Sequence, residues 1–512
     1  MLATVAAGGL RYYHGRTGSI YHPNAPFVVE PPAKLPAAAI ARTAWPMFGF
    51  QTNHTRAFPG SASLRPPFRI SWIYRGKALL EFPPSLYGNS IFQLADDGVL
   101  TSFDKDTGRQ LWTRRLGALS ASSPAVADDM VFVTVMQRQA GVNAGRVVAL
   151  NAGTGAIRWS RNLPSPSESS PLVDGQRIYF GSTNGTVYAL SAQTGAVQWT
   201  YHAAGAVKAS PTLAYGNLYF GDYSGHVQAI SEQTGARVWV SDSGGTLFGS
   251  GQFYSTAAVV DGRVFLGNTD GRVYAYDAGT GALDWAAQTG AYVYSSPAVT
   301  DAPGLGPTVY SGSYDGKFYA FSARTGHVEW SYRAGGKISG SATIVGNVVY
   351  FADLGTRRTV GLGISTGRVV FGGFPGSFDP VVTDGVRLYL TGYTGLLALT
   401  PRGAAAPRPT RPVTPPATST TVVHTTATTT TLLSRLSGSG PALSPAPPPA
   451  TTPAPYRASA PGPAAVPPPP LPLPAPLPVP LGSGPVPGVC GVPAATLLRT
   501  TPAPDCSWIA AP

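Results

Sequence analysis

Residues of the types that usually carry catalysis or bind metals are sparse in this 512-residue sequence, and their spacing forms no recognisable site. The 7 histidines show no metal-ligand spacing, and no nucleophile elbow or phosphate-binding glycine loop ahead of a helix is present. Three carboxylates, Glu81, Glu168 and Asp379, are widely separated, whereas a calcium site needs several converging oxygen ligands. We therefore predict no metal site and no catalytic residues.

Tyrosine and phenylalanine residues, by contrast, recur in short Gly- and Ser-rich segments, together with a few lysines. Clusters of Tyr and Phe on loops are typical of protein interfaces. The alternative for any one of these aromatic residues is that it packs the base of its own loop. The residues predicted to bind a partner are Phe248, Phe253, Tyr254, Tyr292, Tyr294, Tyr223, Tyr314, Tyr393, Phe378, Lys208 and Lys337.

The placement of these residues depends on a repeat that runs through most of the chain. The motif TGAIRW at Thr154 recurs four times downstream with a tryptophan, as TGRQLW upstream at Thr107, and as TGRVVF at Thr366. Successive threonines of the seven copies are 47, 40, 40, 46, 45 and 41 residues apart. A period in this range indicates a solenoid, a propeller or another repeat array.

Each repeat predicts four short antiparallel strands, which we name A to D in chain order. Residues 210–239 alternate runs rich in Val, Tyr, Phe and Leu with Gly-Asn, Ser-Gly and Thr-Gly turns, and contain no amphipathic stretch long enough for a helix. Strand C, as in GTVYAL at Gly185, is apolar at consecutive positions, which indicates a sheet packed on both faces. Four strands in about 40 residues are typical of a propeller blade.

A large ring on strand D is predicted to fill the space that widens between blades away from the axis. The glycine of the Thr-Gly pair is expected in the C–D turn, where a positive φ is needed. Strand A instead carries small residues, such as SSPAV at Ser122, where the strands crowd the axis. The predicted structural residues of the rim are Trp72, Trp112, Trp159, Trp199, Trp239, Trp285, Trp330 and Phe371.

The number of blades follows from the two ends of the repeat region. After the last motif, the segments beginning at Ser377, Val386 and Gly395 supply strands A, B and C of a further blade, but no strand D follows. FRISWIYRG at Phe68 has the pattern of a strand D without a blade of its own. We therefore predict an all-β, eight-bladed propeller whose last blade is closed by the N-terminal strand, which removes exposed sheet edges. Seven blades are the alternative.

These units resemble the repeat of the PQQ-like β-propeller family, G-x-V-Y-A-L-D-x-x-T-G-x-x-x-W, over about residues 45–400. WPMFGFQTNHTRAFPG at Trp45 is similar to the entry segment of the quinoproteins, with Phe48 in place of their usual Tyr, and is expected to lie across the ring. The resemblance implies one of two functions. Quinoprotein dehydrogenases bind pyrroloquinoline quinone (PQQ) and calcium, whereas BamB-like propellers are non-enzymatic.

The residues favour the second branch. Many quinoprotein alcohol dehydrogenases place a disulfide between adjacent cysteines over the quinone, whereas the 2 cysteines here, Cys490 and Cys506, lie outside the predicted propeller. An acidic calcium site with a catalytic aspartate is not recognisable. We therefore expect no cofactor, with a PQQ- and calcium-dependent alcohol or sugar dehydrogenase as the alternative.

Strand parity divides the loops between two faces of the ring. The C–D face consists of nearly uniform Thr-Gly turns. The D–A and B–C loops emerge together on the other face, vary from blade to blade, and hold the partner-binding residues named above. The longest D–A connection is residues 241–255. Variable loops on a rigid scaffold usually carry binding.

The formal net charge of +12 is spread over three parts of the chain. Residues 1–44 contribute +3, the tail from Pro401 contributes +5, and the propeller keeps only +4. No lysine or arginine cluster follows one strand face, so specific nucleic-acid binding is not expected.

The predicted domains are an N-terminal segment 1–44, the propeller 45–400, a linker 401–489 and a Cys-containing segment 490–512. The linker is rich in Pro, Ala and Thr, and we expect it to be disordered or locally polyproline II. Cys490 and Cys506 form a disulfide or remain free thiols. The apolar stretch LATVAAGGL at Leu2 is either the remnant of a membrane anchor or a flexible end.

Together these patterns predict a monomeric, non-catalytic scaffold outside the cytoplasm, in the cell envelope, with a membrane tether as one of the two alternatives for its N-terminal segment. It would bind a protein or a cell-envelope polymer on its D–A face.

Overall fold

The computed structural model describes residues 18–22, 25–30, 45–60, 64–139, 142–243, 251–376, 378 and 381–403. The predictions for the tail, for Cys490 and Cys506, for Phe248 and for the stretch at Leu2 lie outside these residues. In the described part all regular elements are β-strands, and no helix there is long and apolar enough to cross a bilayer.

Of the 34 strands in the described residues, all except β1 and β2 form eight four-stranded antiparallel blades arranged as a propeller, as predicted. Each of blades one to seven is a meander in which consecutive strands pair, because the connecting turns are short. Blade one contains β4 (Ser85–Tyr87), β5 (Ser90–Leu94), β6 (Val99–Asp104) and β7 (Gln110–Arg115); blade two contains β8 (Ala125–Ala127), β9 (Met130–Gln139), β10 (Val142–Asn151) and β11 (Ile157–Leu163). Blade three contains β12 (Leu172–Asp174), β13 (Arg177–Phe180), β14 (Thr186–Ser191) and β15 (Val197–His202); blade four contains β16 (Thr212–Ala214), β17 (Asn217–Gly221), β18 (His226–Ser231) and β19 (Arg237–Asp242).

The second half of the ring follows the same order. Blade five contains β20 (Ala258–Val260), β21 (Arg263–Gly267), β22 (Arg272–Asp277) and β23 (Leu283–Gln288); blade six contains β24 (Ala298–Ala302), β25 (Gly306–Gly312), β26 (Lys317–Ser322) and β27 (Val328–Arg333). Blade seven contains β28 (Thr343–Val345), β29 (Val348–Asp353), β30 (Arg358–Gly363) and β31 (Val369–Pro375); blade eight contains β32 (Val381–Thr383), β33 (Leu388–Gly392), β34 (Gly395–Pro401) and β3 (Phe68–Arg75).

Closure of the ring is the pairing of β3 with β34. The two strands run antiparallel from Phe68 opposite Pro401 to Arg75 opposite Gly395, with one bulge beside Trp72. The chain therefore supplies the outer strand of blade eight from its N-terminal side, and the prediction of eight blades closed in this way is confirmed.

Two short strands add to this ring. β1 (Ile20–Tyr21) pairs antiparallel with the outer strand of blade five, where Tyr21 lies opposite Trp285. β2 (Ala57–Phe58) pairs parallel with the inner strand of blade seven. The sequence did not predict β1, because a two-residue strand outside the repeat has no pattern to reveal it.

The segment from Trp45 to Phe58 crosses the centre of the ring, as the resemblance predicted. Its carbonyl groups accept hydrogen bonds of 2.7 to 2.9 Å from the inner strands of six blades, whose axial edges have no neighbouring strand of their own. The donors are the main-chain N–H groups of Leu86, Val126, Leu213, Val259, Val299 and Ile344. The segment thus ties the blades together at the axis.

Small hydroxyl residues link successive inner strands around the same axis. The main-chain N–H of Ser123 donates to Ser170 Oγ at 2.9 Å, and that of Thr256 donates to Ser296 Oγ at 3.0 Å. Ser210 donates its hydroxyl to the carbonyl of Ser170 at 2.8 Å. The small residues of strand A therefore serve as polar links between blades as well as fitting a crowded axis.

The repeated motif joins each blade to the next. Every tryptophan of the rim donates from its indole Nε1 to a main-chain carbonyl of the following blade, at 2.8 to 3.1 Å. The glycine of that blade's Thr-Gly turn lies under the indole. A Cβ placed on Gly195 would be 2.5 Å from the ring of Trp159, and Gly195 also has a φ of +68°. The glycine is thus required by conformation and by close approach.

Phe371 replaces tryptophan in blade seven for a structural reason. The next blade has no C–D turn, since its outer strand β3 comes from the other end of the propeller, so no Thr-Gly turn is available to receive an indole. Phe371 instead packs edge-on against Phe68 of β3, with ring centroids 5.7 Å apart. The exception to the motif and the closure of the ring have the same origin.

Candidate partner-binding face

The mouth of the central channel on the D–A face is lined by one repeated position of the chain. In blades one to seven this position lies four residues before the first residue of strand A. In seven of the eight blades the residue at this position lines the mouth, and its type varies; in blade two the position is held by Ala121, which does not line the mouth. Occupants of this position that line the mouth are Glu81, Glu168, Lys208, Tyr254, Tyr294, Ser339 and Phe378.

Five tyrosines form a continuous group beside this mouth, over blades four to six. Tyr223 and Tyr314 come from B–C turns, and Tyr254, Tyr292 and Tyr294 come from D–A connections. Their ring centroids are 6.2 Å apart for Tyr223 and Tyr254, 5.6 Å for Tyr254 and Tyr294, and 4.9 Å for Tyr294 and Tyr314. We name these five residues the tyrosine arc. The most exposed member is Tyr292, at 48%.

A lysine lies at each end of the arc. Lys208 Nζ is 5.0 Å from the ring centroid of Tyr223, and Lys337 Nζ is 5.4 Å from that of Tyr314. Lys208 also forms an ion pair with Glu168 at 2.9 Å. Cations over tyrosine faces restrict the rings. Because the Glu168 carboxylate compensates the charge of Lys208, the net positive charge lies at the Lys337 end of the arc.

Phe253 is not part of the arc, and we correct its role from partner contact to packing residue. Its side chain is fully buried beneath the loop, with its Cβ against Gly221 and its ring 5.7 Å from that of Tyr274. The equivalent residues of other D–A connections, such as Val207 on Gly181 and Val293 on Gly267, pack in the same way. Alignment of the connections by their inner serines places Phe253 at this apolar position.

The remaining predicted residues lie elsewhere on the face. Phe378 lines the channel mouth on its far side. Tyr393, in the B–C turn of blade eight, is 38% exposed and has the Arg357 guanidinium 4.9 Å from its ring centroid, remote from the arc. The structure therefore brings together five of the predicted tyrosines and both lysines, but not Phe378 or Tyr393.

The floor of the mouth belongs to the segment that crosses the ring. Phe48 closes it, with the guanidinium of Arg56 stacked beneath at 3.9 Å from the ring centroid. His54 is buried beside them and its Nδ1 is 3.0 Å from Thr212 Oγ1. Burial, with a smaller effect of the Arg56 charge, lowers the pKa of His54 well below its ordinary value, so the imidazole is neutral. The cavity above Phe48 has a volume of about 60 Å³.

Comparison with known proteins assigns this architecture to a family. A family profile described as "Outer membrane protein assembly factor BamB" matches four overlapping stretches, residues 71–142, 96–243, 143–304 and 224–373, which together span more than half of the chain. The chain belongs to this PQQ-like propeller family.

The relatives within and around the family are distant. Outer membrane protein assembly factor BamB of Yersinia pestis is 26% identical over 106 residues, a stretch that spans 20% of this chain and 27% of that protein. The crystal structure of BamB from Moraxella catarrhalis has 20% identity and a TM-score of 0.54, covering 65% of this chain and all of that one. A europium-containing methanol dehydrogenase has 13% identity and a TM-score of 0.59, covering 71% and 98%. At these identities the structural likeness shows the fold.

Quinoproteins with this fold carry a quinone and a metal ion, and both groups need ligands and space that the channel mouth would have to provide. Among the described residues, no three His, Cys, Asp or Glu side chains are placed to hold a metal ion. The mouth cavity of about 60 Å³ is well below the ~300 Å³ of the smallest typical ligand pockets. Glu168 is engaged with Lys208. Within the described part of the chain, the residues of the channel mouth do not fit a quinone and calcium.

Two residues on the D–A face of this PQQ-like propeller were not predicted from the sequence. Phe82 lines the mouth, and its ring centroid is 6.3 Å from that of Phe48. Ser339 lines the mouth at the position held by Tyr254 and Tyr294 in neighbouring connections. The variable position before strand A was the signal that could have revealed Ser339, whereas Phe82 has no repeat equivalent of its type.

Proposed function

We propose that the protein is a non-catalytic propeller outside the cytoplasm that binds a protein or cell-envelope polymer partner through the tyrosine arc. The observation that carries the proposal is the contiguity of five tyrosines on one face, gathered from two blades' B–C turns and two D–A connections. No element of the repeat requires them, because the corresponding positions of blades one to three carry other residue types.

The chemistry of the arc favours a protein partner. Tyrosine offers a large, rigid apolar surface together with a hydroxyl that can donate or accept a hydrogen bond. Interface energy concentrates in such aromatic anchors, surrounded by residues that exclude water. Lys337, at one end of the arc, favours a partner surface that is acidic at the edge it meets, whereas the charge of Lys208 is compensated by Glu168.

The cellular role rests on the relatives. The family profile and the relative from Yersinia pestis are both described as outer membrane protein assembly factor BamB, which supports placing this chain in the cell envelope and in protein assembly. A membrane tether, a monomeric state and the identity of the partner remain parts of the proposal.

A photo-crosslinking experiment tests the proposal with a control built into the molecule. Tyr292 on the D–A face and Tyr215 in an A–B turn on the opposite face are the same residue type with almost equal exposure, 48% and 49%. A benzoylphenylalanine placed at each position in turn, in cells that produce the protein, should give a discrete crosslinked product from position 292 and none of that product from 215. Identical products from both positions, or a product from 215 alone, would contradict binding at the arc.

A further inference from the structure

The ring divides into a basic half and an acidic half. Residues 68–163 and 334–403, which form blades seven, eight, one and two, hold 17 basic and 10 acidic residues, a net charge of +7. Residues 164–333, which form blades three to six, hold 8 basic and 12 acidic residues, a net charge of −4. The two basic stretches lie at opposite ends of the repeat and become neighbours because β3 closes the ring.

The positive charge is concentrated on the outer strands of three neighbouring blades. β3, β7 and β11, the outer strands of blades eight, one and two, carry six exposed arginines and no aspartate or glutamate. The arginines are Arg69, Arg75, Arg114, Arg115, Arg158 and Arg161. The outer strands of blades three to six hold two arginines and three carboxylates instead. We name the surface formed by β3, β7 and β11 the basic rim.

Most of the charge of the basic rim is uncompensated. Arg115 forms an ion pair with Asp97 at 3.1 Å, and among the described residues no carboxylate oxygen lies within 4.0 Å of the other five arginines. Arg114 and Arg161 donate from Nε to main-chain carbonyls of the following blade, at 3.1 and 2.7 Å. A carbonyl is neutral, so these hydrogen bonds position the two guanidinium groups without removing their charge.

Large aliphatic side chains are exposed among these arginines. Within the described parts of the chain, every exposed isoleucine or leucine lies on β3, β7 or β11, and each is 39 to 49% exposed. They are Ile70, Ile73, Leu111 and Ile157. The aliphatic residues exposed on other outer strands are valines. Basic residues mixed with large aliphatic ones are typical of surfaces that lie at a membrane interface.

The backbone of the basic rim limits how deeply it can enter a bilayer. β3, β7 and β11 are the last strands of their sheets, and their outer edges pair with no further strand in the described residues. The outer strand of blade five, by contrast, is covered by β1. Unpaired backbone N–H and C=O groups are too costly to place in hydrocarbon. The strands can therefore lie among lipid headgroups, where phosphate oxygens accept hydrogen bonds, and no deeper.

We propose that the basic rim binds the surface of a bilayer that contains anionic phospholipid. Guanidinium groups bind phosphates through paired hydrogen bonds, and the isoleucine and leucine side chains would reach the boundary between headgroups and acyl chains. The arginines are spread over three blades, and Arg69 and Arg75 lie roughly 20 Å apart along one strand. This spread fits a continuous anionic surface better than a single phosphate.

The position of the basic rim is compatible with the function proposed for the tyrosine arc and does not depend on it. The arc lies over blades four to six, and blade one is opposite blade five in the ring of eight. A bilayer in contact with the basic rim therefore leaves the tyrosine arc accessible to its partner.

Vesicle flotation of the full chain tests the proposal. The parent should float with vesicles of phosphatidylcholine mixed with phosphatidylglycerol, should not float with phosphatidylcholine alone, and should be released by salt. The double variant Arg75→Glu, Arg158→Glu should bind the mixed vesicles at least about tenfold more weakly.

A control of equal charge comes from the acidic half of the ring. Arg237 and Arg333 are exposed on the outer strands of blades four and six, and Arg333 follows Trp330 by three residues as Arg75 follows Trp72. The double variant Arg237→Glu, Arg333→Glu should bind within about twofold of the parent, because screening confines the interaction to charges near the bilayer. The basic segments outside the propeller are the same in both variants, so the difference between them reports the position of the charges.

A second pair of variants distinguishes a bilayer from a soluble polyanion or an acidic protein. Ile70 and Ile157 are 42% and 49% exposed, and Val197 and Val328 on the acidic half have the same two values. Each of the four lies two residues before the motif tryptophan of its strand. Ile70→Ser, Ile157→Ser should weaken vesicle binding several-fold, and Val197→Ser, Val328→Ser should not.

Three results would overturn the proposal, provided that the variants melt as the parent does. The first is equal vesicle binding by the two arginine variants, and the second is equal binding of the parent to vesicles with and without phosphatidylglycerol. The third is a loss confined to the arginine variant of the basic rim, with none from the isoleucine variant, which would indicate a soluble acidic ligand in place of a bilayer.

Discussion

At the scale of single residues, the tryptophan of each repeated motif contacts the motif of the following blade. Seven indoles each donate to the following blade and rest on a glycine of its Thr-Gly turn, so tryptophan and glycine act as a pair that spans two repeats. The sequence shows both residues within one copy of the motif, whereas the contact joins one copy to the next.

This pairing predicts that a single methyl group at the turn is costly. Gly195→Ala forces a Cβ to within 2.5 Å of the Trp159 ring and adds the strain of a positive φ, so we expect a loss of roughly 2–5 kcal/mol of unfolding free energy. Gly175→Ala in the A–B turn of the same blade is the control, because Gly175 also has positive φ but nothing within 4 Å. It should cost only about 1 kcal/mol. Equal losses in denaturant unfolding would mean that the indole contact is unimportant.

Asp96 predicts a pH dependence of stability. Burial, opposed by a hydrogen bond from the Glu81 N–H and aided by the charge of Asp97, raises the pKa of Asp96 from 3.8 to about 7. A carboxyl whose pKa is higher in the folded state stabilises the fold when protonated. Its contribution should therefore fall as pH rises from about 4 through 7. The buried, neutral His54 makes the unfolding free energy rise with pH below its ordinary pKa of 6.5. This contribution is the same in the parent and in Asp96→Asn, so it cancels in their difference.

The measurement is the difference in unfolding free energy between the parent and Asp96→Asn. The parent should lose stability relative to the variant as pH rises from 4 to 8, with most of the change below pH 7. A difference that is constant over this range would show that Asp96 titrates normally in the folded protein.

At the scale of elements, the strands that belong to the repeat could be predicted from the sequence, and those outside it could not. The four strands per blade and the assignment of β3 to blade eight could be predicted because the missing outer strand after Thr400 and the unaccompanied strand at Phe68 complement each other. β1 could not be predicted, since its pairing with blade five depends on tertiary contacts. Among these is Phe27, whose ring is 4.5 and 4.6 Å from the guanidinium groups of Arg263 and Arg324.

The candidate site was predictable in part for the same reason. Loop parity correctly placed Tyr223, Tyr254, Tyr292, Tyr294 and Tyr314 on one face, because parity is a property of the strands. It could not distinguish Phe253 from its neighbour Tyr254, since adjacent residues of a connection point to the core and to the channel mouth in turn. Phe248 remains a prediction.

Closure by β3 gives an element-scale prediction with an internal control. A chain that starts at residue 45 keeps both the segment across the channel and β3, and should unfold cooperatively near the parent's melting temperature. A chain that starts at residue 76 loses both and exposes the edge of β34, so it should aggregate or melt far lower. Similar melting of the two truncated chains would show that β3 is dispensable for closure.

At the scale of the whole molecule, the propeller is a closed ring whose two faces differ in the loops they carry. The C–D face is occupied by the turns that join blades, which leaves little freedom for its sequence. The D–A face carries the tyrosine arc, and the channel beneath is closed by Phe48 and crossed by the entry segment. This asymmetry is consistent with a scaffold that presents one surface.

Because the described residues of the channel mouth do not fit a quinone, we expect no quinone-dependent dehydrogenase activity. Incubation of the purified protein with PQQ and calcium, followed by alcohols or aldoses and an electron-accepting dye, should give no dye reduction above a heat-denatured control. Turnover with any of these substrates would overturn the non-catalytic proposal and direct attention back to the channel mouth.

The most direct test of the account is the affinity of a Tyr254→Ala, Tyr294→Ala variant for the partner identified by crosslinking at position 292. Aromatic anchors typically lose roughly 2 kcal/mol each on truncation, so binding should weaken by about two to three orders of magnitude at an unchanged melting temperature. Tyr393→Ala, an exposed tyrosine in a B–C turn outside the arc, should bind as the parent does. Unchanged affinity of the double variant, or an equal loss from Tyr393→Ala, would contradict the assignment of function to the tyrosine arc.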